Sequence, residues 1–334
     1  MRARFLPAVF LFFCAGPVSA QEHVTIGTQR LTVNGALFIA AAQGYFKAEG
    51  LDVEMTAYTS PEQVVQALAG GATDLGLAEF TPAAFNFAGR GAIKAVAAQV
   101  REKKDYEGNE IIVSNKAYGR GMRKLDDLAG TVFAITQLGS TAHYQLGQIA
   151  KVKGFDLARV TLKPVGSLDA IARAIGTSDV DATILPTQYA RELMIANQGK
   201  LITWFSEVDE TQLGALFASA KALETRRAAI EKFVRAYRRG AADYAAALLR
   251  RDRFAKRISD TKSQAMASTI ARYVYAGHAL GPATMTVEAS AYYMDAQARL
   301  DLADLTRQVD WFKAQKLIDP SVDARAIVDS TLNR

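Results

Sequence analysis

The chain has 334 residues, half of them hydrophobic and 22% charged, with a formal net charge of +6. That length supports two domains with separate cores, and the balance excludes a disordered or low-complexity chain. One cysteine, Cys14, excludes a disulfide framework. Residues 1–20 run from the basic MRAR through the apolar FLPAVFLFFCAG to the small residues of PVSA. This is the layout of a secretory signal peptide cleaved after Ala20, its apolar run being too short to span a bilayer. Cys14 lies inside it and follows Phe13, where a lipidation signal needs a small residue. The mature chain would then carry no cysteine for a thiolate metal site or a nucleophile. No later segment is long and apolar enough to cross a membrane, so a soluble exported protein is expected.

Beyond the leader, VTIGTQ from Val24 is a strand candidate that leads through TQRLTVN (28–34) into a helix. In GYFKAEGLDVEM the helical pattern reaches a lysine, turns at Gly50, which tolerates positive φ, and gives way to a strand. In YTSPEQ (58–63), Ser60, Pro61 and Gln63 form a capping-box pattern that opens the next helix. An Asp74 turn, a strand and the loop AEFTP (78–82) follow. The succession then returns: TVFAITQ from Thr131, TQLGSTAHY (136–144), a helix to Lys153, Gly154, a strand, PVGSLD (164–169), a helix, Asp181, a strand and LPTQY (185–189). Aligned on Ser60 and Ser167, Ala67 meets Ala174, Asp74 meets Asp181, and Val64 and Leu68 meet Ile171 and Ile175. Two α/β lobes are predicted, each a βαβαβ unit with a parallel sheet and crossover helices.

Two further strands, EIIVS (110–114) and LGALFASA (213–220), flank the second unit and are placed to be the crossings between lobes. From Leu223 the chain turns helical, through ETRRAAIEKFVRAYRRGAADYAAALLRRDRF, AMASTIARYVYAGHAL and DLTRQVDWFKAQKLI, the last stopped by Pro320. The arginine pairs at 226–227, 238–239 and 250–251 read as a solvated helix face, and no nucleic-acid partner is expected.

Nothing in the motifs argues for an enzyme. His23, His143 and His278 share no metal spacing, and zinc-helix, calcium-loop, hydrolase-elbow and phosphate-loop patterns do not occur. No metal or cofactor is expected. In open parallel sheets, ligands sit outside the carboxyl ends of the strands, and the loops there carry mostly hydroxyls and amides. Ser60 and Ser167 read as plain caps or as cleft residues. Gly139, Ser140 and Thr141 read as an ordinary N-cap or as an anion site built from free N–H groups and the helix dipole. His143 is a ligand donor or a packed residue.

Taken together, the leader, GYFKAEGLDVEM, QALAGGATDLGLA, GSTAHYQLGQIAKVKGFD, VDATILPTQYA and WFKAQKLIDPSVDARAIVDSTL resemble the periplasmic substrate-binding proteins of nitrate, sulfonate and taurine ABC importers. That group shares its fold with thiamine-pyrimidine-precursor proteins. The resemblance implies the two-lobed periplasmic binding protein fold (type II) with a two-strand hinge: residues 24–108 with 221–334 in one lobe, 109–220 in the other. It implies a monomer that closes on a small organic anion (a sulfonate, a taurine-like compound or an aromatic carboxylate) and delivers it to a membrane permease. The implied ligand contacts are Gln29, Arg30, Thr32 and Asn34; Glu79, Phe80 and Thr81; Gly139, Ser140 and Thr141; and Pro186, Thr187 and Tyr189, with Ser60 and His143 completing the set. Glu79 departs from the small or hydroxyl residues frequent in relatives. A carboxylate there would repel bare nitrate or sulfate and would favour an amine or hydroxyl, or else pair with Arg30. Two other roles stay open: a sensor for a membrane kinase, and an enzyme like the pyrimidine synthase of the same fold, which is distinguished by a cysteine-rich segment.

Overall fold

A computed structural model describes residues 21–333, so the expected signal peptide lies outside the described residues. The first run holds β1 (Glu22–Thr28), α1 (Gly35–Ala42), α2 (Tyr45–Ala48), β2 (Leu51–Ala57), α3 (Pro61–Ala69), β3 (Leu75–Glu79), α4 (Pro82–Gly89) and β4 (Ile93–Ala98). The second holds β5 (Glu110–Ser114), α5 (Asn115–Gly119), β6 (Val132–Ile135), α6 (Thr141–Lys153), β7 (Thr161–Pro164), α7 (Leu168–Gly176), β8 (Ala182–Leu185), α8 (Thr187–Ile195) and β9 (Gly199–Trp204). The chain then returns through β10 (Gly214–Ser219), α9 (Ala220–Thr225), α10 (Arg227–Leu248), α11 (Thr261–Val274), α12 (Leu280–Ala289), α13 (Leu302–Ala314) and α14 (Ala324–Ile327).

These strands form two five-stranded sheets, in the orders β2-β1-β3-β10-β4 and β7-β6-β8-β5-β9. Both predicted βαβαβ units are present, with β1 parallel to β2 and β3, and β6 parallel to β7 and β8. Each sheet also takes one antiparallel strand, β10 in the first and β5 in the second. The strands expected to cross between lobes therefore lie inside sheets. The crossings are the segments that follow β4 and β9, which pair antiparallel at Arg101 and Gln212. Glu102 N donates to Thr211 O at 2.8 Å and Leu213 N to Val100 O at 3.2 Å. This is a two-strand hinge. Because β10 hydrogen-bonds with β3 and β4, the return to the first sheet occurs before Gly214, whereas the sequence reading groups 109–220 together.

Each sheet is buried on both faces, as parallel sheets require. On the first, one core gathers Ile26, Leu37 and Ile39 against Phe233 and Tyr237 of α10; the other gathers Phe85, Phe217 and Phe312. On the second, Phe133 and Ile149 fill one face and Ile112 and Ile171 the other. Gly50 and Gly154 adopt the left-handed conformation expected of helix-ending turns, with φ of 75° and 71°.

Two helical expectations shift. AMASTIARYVYAGHAL is broken at Gly277 (φ 87°) into α11 and α12, and α13 ends at Ala314, before a left-handed Lys316 (φ 57°) and well short of Pro320. The arginine pairs are tied to the protein rather than left as a free solvated face. Arg226 meets Asp74 at 2.9 Å, Arg227 meets Asp329 at 3.1 Å, Arg250 meets Asp260 at 2.7 Å and Arg251 meets Glu107 at 2.7 Å. Among the described residues, no helix is long and apolar enough to cross a membrane.

Candidate functional site

A cavity of about 70 Å³ opens between the two sheets, at the carboxyl ends of β1, β3, β6 and β8. The first lobe supplies Gln29, Thr59, Ser60, Glu62, Glu79 and Thr81 to it; the second supplies Thr136, Gln137, Ser140, Thr141, Ser167 and Pro186. The duplication explains this symmetry of hydroxyls. Ser60 Oγ caps α3 by accepting from Gln63 N at 3.3 Å, and Ser167 Oγ caps α7 by accepting from Ala170 N at 3.2 Å. Both cap and both line the cavity, so the two readings of these serines hold together. The capping box closes one residue early: Gln63 Oε1 accepts from Thr59 N at 3.0 Å, not from Ser60.

Two carboxylates face this space from the first lobe. Glu62 sits in the first turn of α3, where the helix dipole favours negative charge, and Gln137 Nε2 of the second lobe donates to it. Glu79 ends β3, and its Oε2 accepts from Thr141 Oγ1, also of the second lobe. Burial pushes the Glu79 carboxyl up to about 7; the Thr141 hydrogen bond offsets part of that, and the nearby Glu62 carboxylate adds to it. Glu62 is raised too, again by burial. Glu79 therefore pairs with a hydroxyl of the opposite lobe rather than with Arg30. Among the described residues, no arginine, lysine or histidine lines the cavity.

Facing the carboxylates is the start of α6. Ser140 is its N-cap but makes no side-chain cap bond, and its Oγ is buried without a partner. Gly139 N donates to His143 Nδ1 at 3.0 Å. The candidate anion site thus keeps a free hydroxyl and the N-terminus of a 13-residue helix, while Thr141 is engaged by Glu79.

Of the expected contacts, Gln29, Ser60, Glu79, Thr81, Ser140, Thr141 and Pro186 line the cavity. The others do not, each for a visible reason. Arg30 is exposed and lines a separate cavity of about 270 Å³ with Phe38, Arg272 and Tyr273. Asn34 is buried and donates to Gln29 O at 2.9 Å, holding the loop after β1. Thr32 instead bridges the lobes, its N and Oγ1 both donating to Gln188 Oε1 at 3.1 Å. Phe80 is buried between Phe85 and Phe217. Gly139 lies against Pro82, so close that a Cβ would meet the ring at 2.3 Å. His143 is packed edge-on to Trp311 at 5.2 Å, and burial lowers its pKa to about 4, keeping it neutral. Thr187 N donates to Tyr292 Oη at 3.1 Å, and Tyr189 is half-buried against the first lobe's core.

Sequence reading missed Glu62, Gln137 and Asn109. The first two lie in loops already singled out, YTSPEQ and TQLGSTAHY. Asn109, in the hinge, has no local signal. It belongs to a buried chain in which its N donates to Glu102 Oε1 at 2.9 Å, its Nδ2 to Gln145 Oε1 at 3.0 Å, and its Oδ1 accepts from Tyr292 Oη at 2.7 Å. Among the described residues, no group of three or more His, Cys, Asp or Glu side chains is placed to hold a metal ion.

A family model described as NMT1/THI5 like matches residues 32–247, more than half of the chain. The solved structures it is similar to include the ligand-binding component of an ABC-type import system from Staphylococcus aureus, with zinc bound. That structure has a TM-score of 0.71 at 14% identity, over 94% of this chain and 98% of the other. The alkanesulfonate-binding protein SsuA from Xanthomonas axonopodis pv. citri, bound to MOPS, has a TM-score of 0.69 at 20% identity, over 92% and 97%. A more distant match is the desulfurization enzyme DSZB, with a TM-score of 0.61 at 15% identity, over 93% and 98%. No curated protein matches the chain. At these identities the likeness shows the fold, which is that of the periplasmic binding proteins.

Proposed function

The chain belongs to the NMT1/THI5-like family, and from that premise we propose that it is the solute-binding component of an ABC importer, acting in the periplasm after loss of residues 1–20. It takes a small organic molecule into the cleft between its lobes and hands it to a membrane permease without turnover. One observation carries this reading: both lobes contribute polar side chains to a single enclosed cavity beside a two-strand hinge. A solute contacting both halves favours the closed arrangement by its differential affinity.

The acidic end of that solute, a sulfonate or carboxylate, is placed at the start of α6, where the buried Ser140 hydroxyl and the helix dipole meet it. Bare inorganic anions fit poorly, because the cavity offers them two carboxylates and, among the described residues, no cationic side chain. Binding rather than catalysis is supported by the ABC-import and SsuA structures being more similar to this chain than the DSZB enzyme is. The cysteine-rich segment that would mark a pyrimidine synthase has no counterpart in this sequence, whose one cysteine is Cys14.

A thermal-shift screen of sulfonates, amino sulfonates, aromatic carboxylates and pyrimidines tests the reading. A compound at 100 times its Kd stabilises the fold by about 2.7 kcal/mol, and small-angle scattering with the same compound should show compaction. No stabilisation by any compound, or stabilisation with an unchanged scattering profile, overturns it.

A further inference from the structure

The cleft holds two carboxylates, Glu62 and Glu79, and no basic residue among the described residues that line it. Of the other buried carboxylates among the described residues, Glu107 and Asp304 are met by guanidinium groups of the chain, whereas Glu102, Glu110 and Glu288 are not. Glu107 in the hinge region is gripped by Arg251 at 2.7 Å and by Arg257, and its pKa is lowered despite burial. Asp304 is met by Arg307 at 2.6 Å. At the cleft the fold supplies only neutral donors: the Thr141 hydroxyl to Glu79, and the Gln137 amide with the Ser60 and Thr81 hydroxyls to Glu62. An ionised carboxylate accepts about four hydrogen bonds, so most of the accepting capacity of Glu79 is left without a protein donor.

We propose that Glu62 and Glu79 together form the receptor for a protonated amine on the solute, which makes the solute a compact molecule with a cationic nitrogen at one end. This rests on the reading of the chain as a solute-binding protein and names the class of solute. Two like charges in a buried site do not both ionise without a counter-charge. An ammonium group placed between them supplies that charge and three N–H donors. Burial raises the carboxyl of Glu102 in the hinge to about 8, and the Glu79 charge also pushes it up. With the solute's acidic end at Ser140, the amine and the acid are held by groups of opposite lobes, which meet at the Glu79–Thr141 contact. A molecule lacking the amine leaves the two carboxylates without a counter-charge.

The test uses the full mature chain and matched pairs differing by one amine: 3-aminopropanesulfonate with propanesulfonate, β-alanine with propionate, and 4-aminobenzoate with benzoate. Calorimetry should show each amine binding tighter than its partner. Glu62→Gln and Glu79→Gln should each weaken the amine by roughly 10- to 100-fold, the scale of a hydrogen bond to a charged group, and change the amine-free partner by less than about 3-fold. Equal losses for both members, or tighter binding of the amine-free member, overturns the proposal while leaving a solute-binding protein. Binding of no compound in either set counts against the solute-binding reading itself. A ligand-independent measurement then decides the carboxylate pair: carbonyl NMR of Glu62 and Glu79 should show coupled titrations, and Glu62→Gln should move the Glu79 midpoint downward. Independent titration of the two groups near pH 4.3, about the ordinary glutamate value, overturns the pair.

Discussion

A carboxylate at residue 79 reads from sequence as a mark of solute chemistry, yet its structural partner, Thr141, comes from the other lobe, 62 residues away, and no local pattern announces that contact. Glu62 escapes notice for the opposite reason. It sits inside a capping pattern that explains its neighbours so well that it looks like a helix-starting acid. Gly147 on α6 is another residue with a hidden task. A Cβ there would meet the Trp311 indole of α13 at 2.6 Å, so the absence of a side chain lets a helix of the second lobe lie against a helix of the first. Gly147→Ala should act with two signs. Inside α6, alanine favours helix by about 1 kcal/mol over glycine. Between the lobes, the added methyl overpacks the indole contact at a cost of about 1–3 kcal/mol. The expected outcome is a second lobe at least as resistant to hydrogen exchange as before, with a larger radius of gyration for the whole chain and weaker solute binding. Loss of exchange protection throughout α6 would place the glycine's task inside the helix instead.

The element scale is where the sequence is most legible. Two serines and two aspartates mark the repeated unit, and the structure gives the aspartates one shared role. Asp74 Oδ2 accepts from Thr25 N at 3.0 Å, and Asp181 Oδ2 accepts from Val132 N at 3.0 Å. Each tethers the start of the third strand of its unit to the first strand, and in both units the partners are 49 residues apart. Strand registers repeat the offset, with Ile26 opposite Leu75 and Phe133 opposite Ala182. Local spacing makes this visible. The antiparallel strands β5 and β10 are legible as strands but not as sheet members, because their partners are set by a reversal of chain direction that leaves no periodic trace. Asp181→Ala should destabilise the second lobe by about 1–3 kcal/mol, the cost of leaving buried donors unpaired. Asp74→Ala should cost the first lobe a comparable amount, since each aspartate also meets an arginine, Arg226 at Asp74 and Arg120 at Asp181. Denaturant melts followed by Trp204 fluorescence in the second lobe and by Trp311 in the first separate the two. Equal effects on both probes from either variant would show that the lobes unfold as one unit.

At the scale of the whole molecule, three carboxylates raised to about 7 or 8, Glu79, Glu102 and Glu110, run from the cleft into the hinge. Burial holds Glu79 up to about 7, Glu102 to about 8 and Glu110 to about 7. Glu102 has one oxygen with no partner and Glu110 has two, and among the described residues none of the three makes an ion pair. In the unfolded chain all three lose their protons near pH 4.5, whereas the folded protein keeps them to about pH 7 or 8. The folded state therefore binds more protons across that window, and its stability falls as pH rises through it. His143 acts in the other direction. Its folded pKa of about 4 lies below the ordinary 6.5, so its contribution is present above 6.5 and lost as pH falls toward 4. Carboxylates such as Glu107 and Asp260, whose pKa values are lowered by arginine, lose their contribution only on the acid side of the ordinary range. Three raised groups outweigh one histidine between about pH 4.5 and 6.5, and nothing among these groups opposes the decline above it. The melting temperature should therefore be highest near about pH 5 and fall steadily to about pH 8. Glu102→Gln, which keeps the side chain's shape while removing the ionisation, should flatten the alkaline limb most, because its window is the widest. A solute amine that lets Glu79 ionise should flatten it too, and its binding should release protons, measurable as a dependence of the calorimetric enthalpy on the buffer. A melting temperature that rises from about pH 5 to about pH 8 in the unliganded chain would mean that water reaches these carboxylates and that the path from cleft to hinge is not dry.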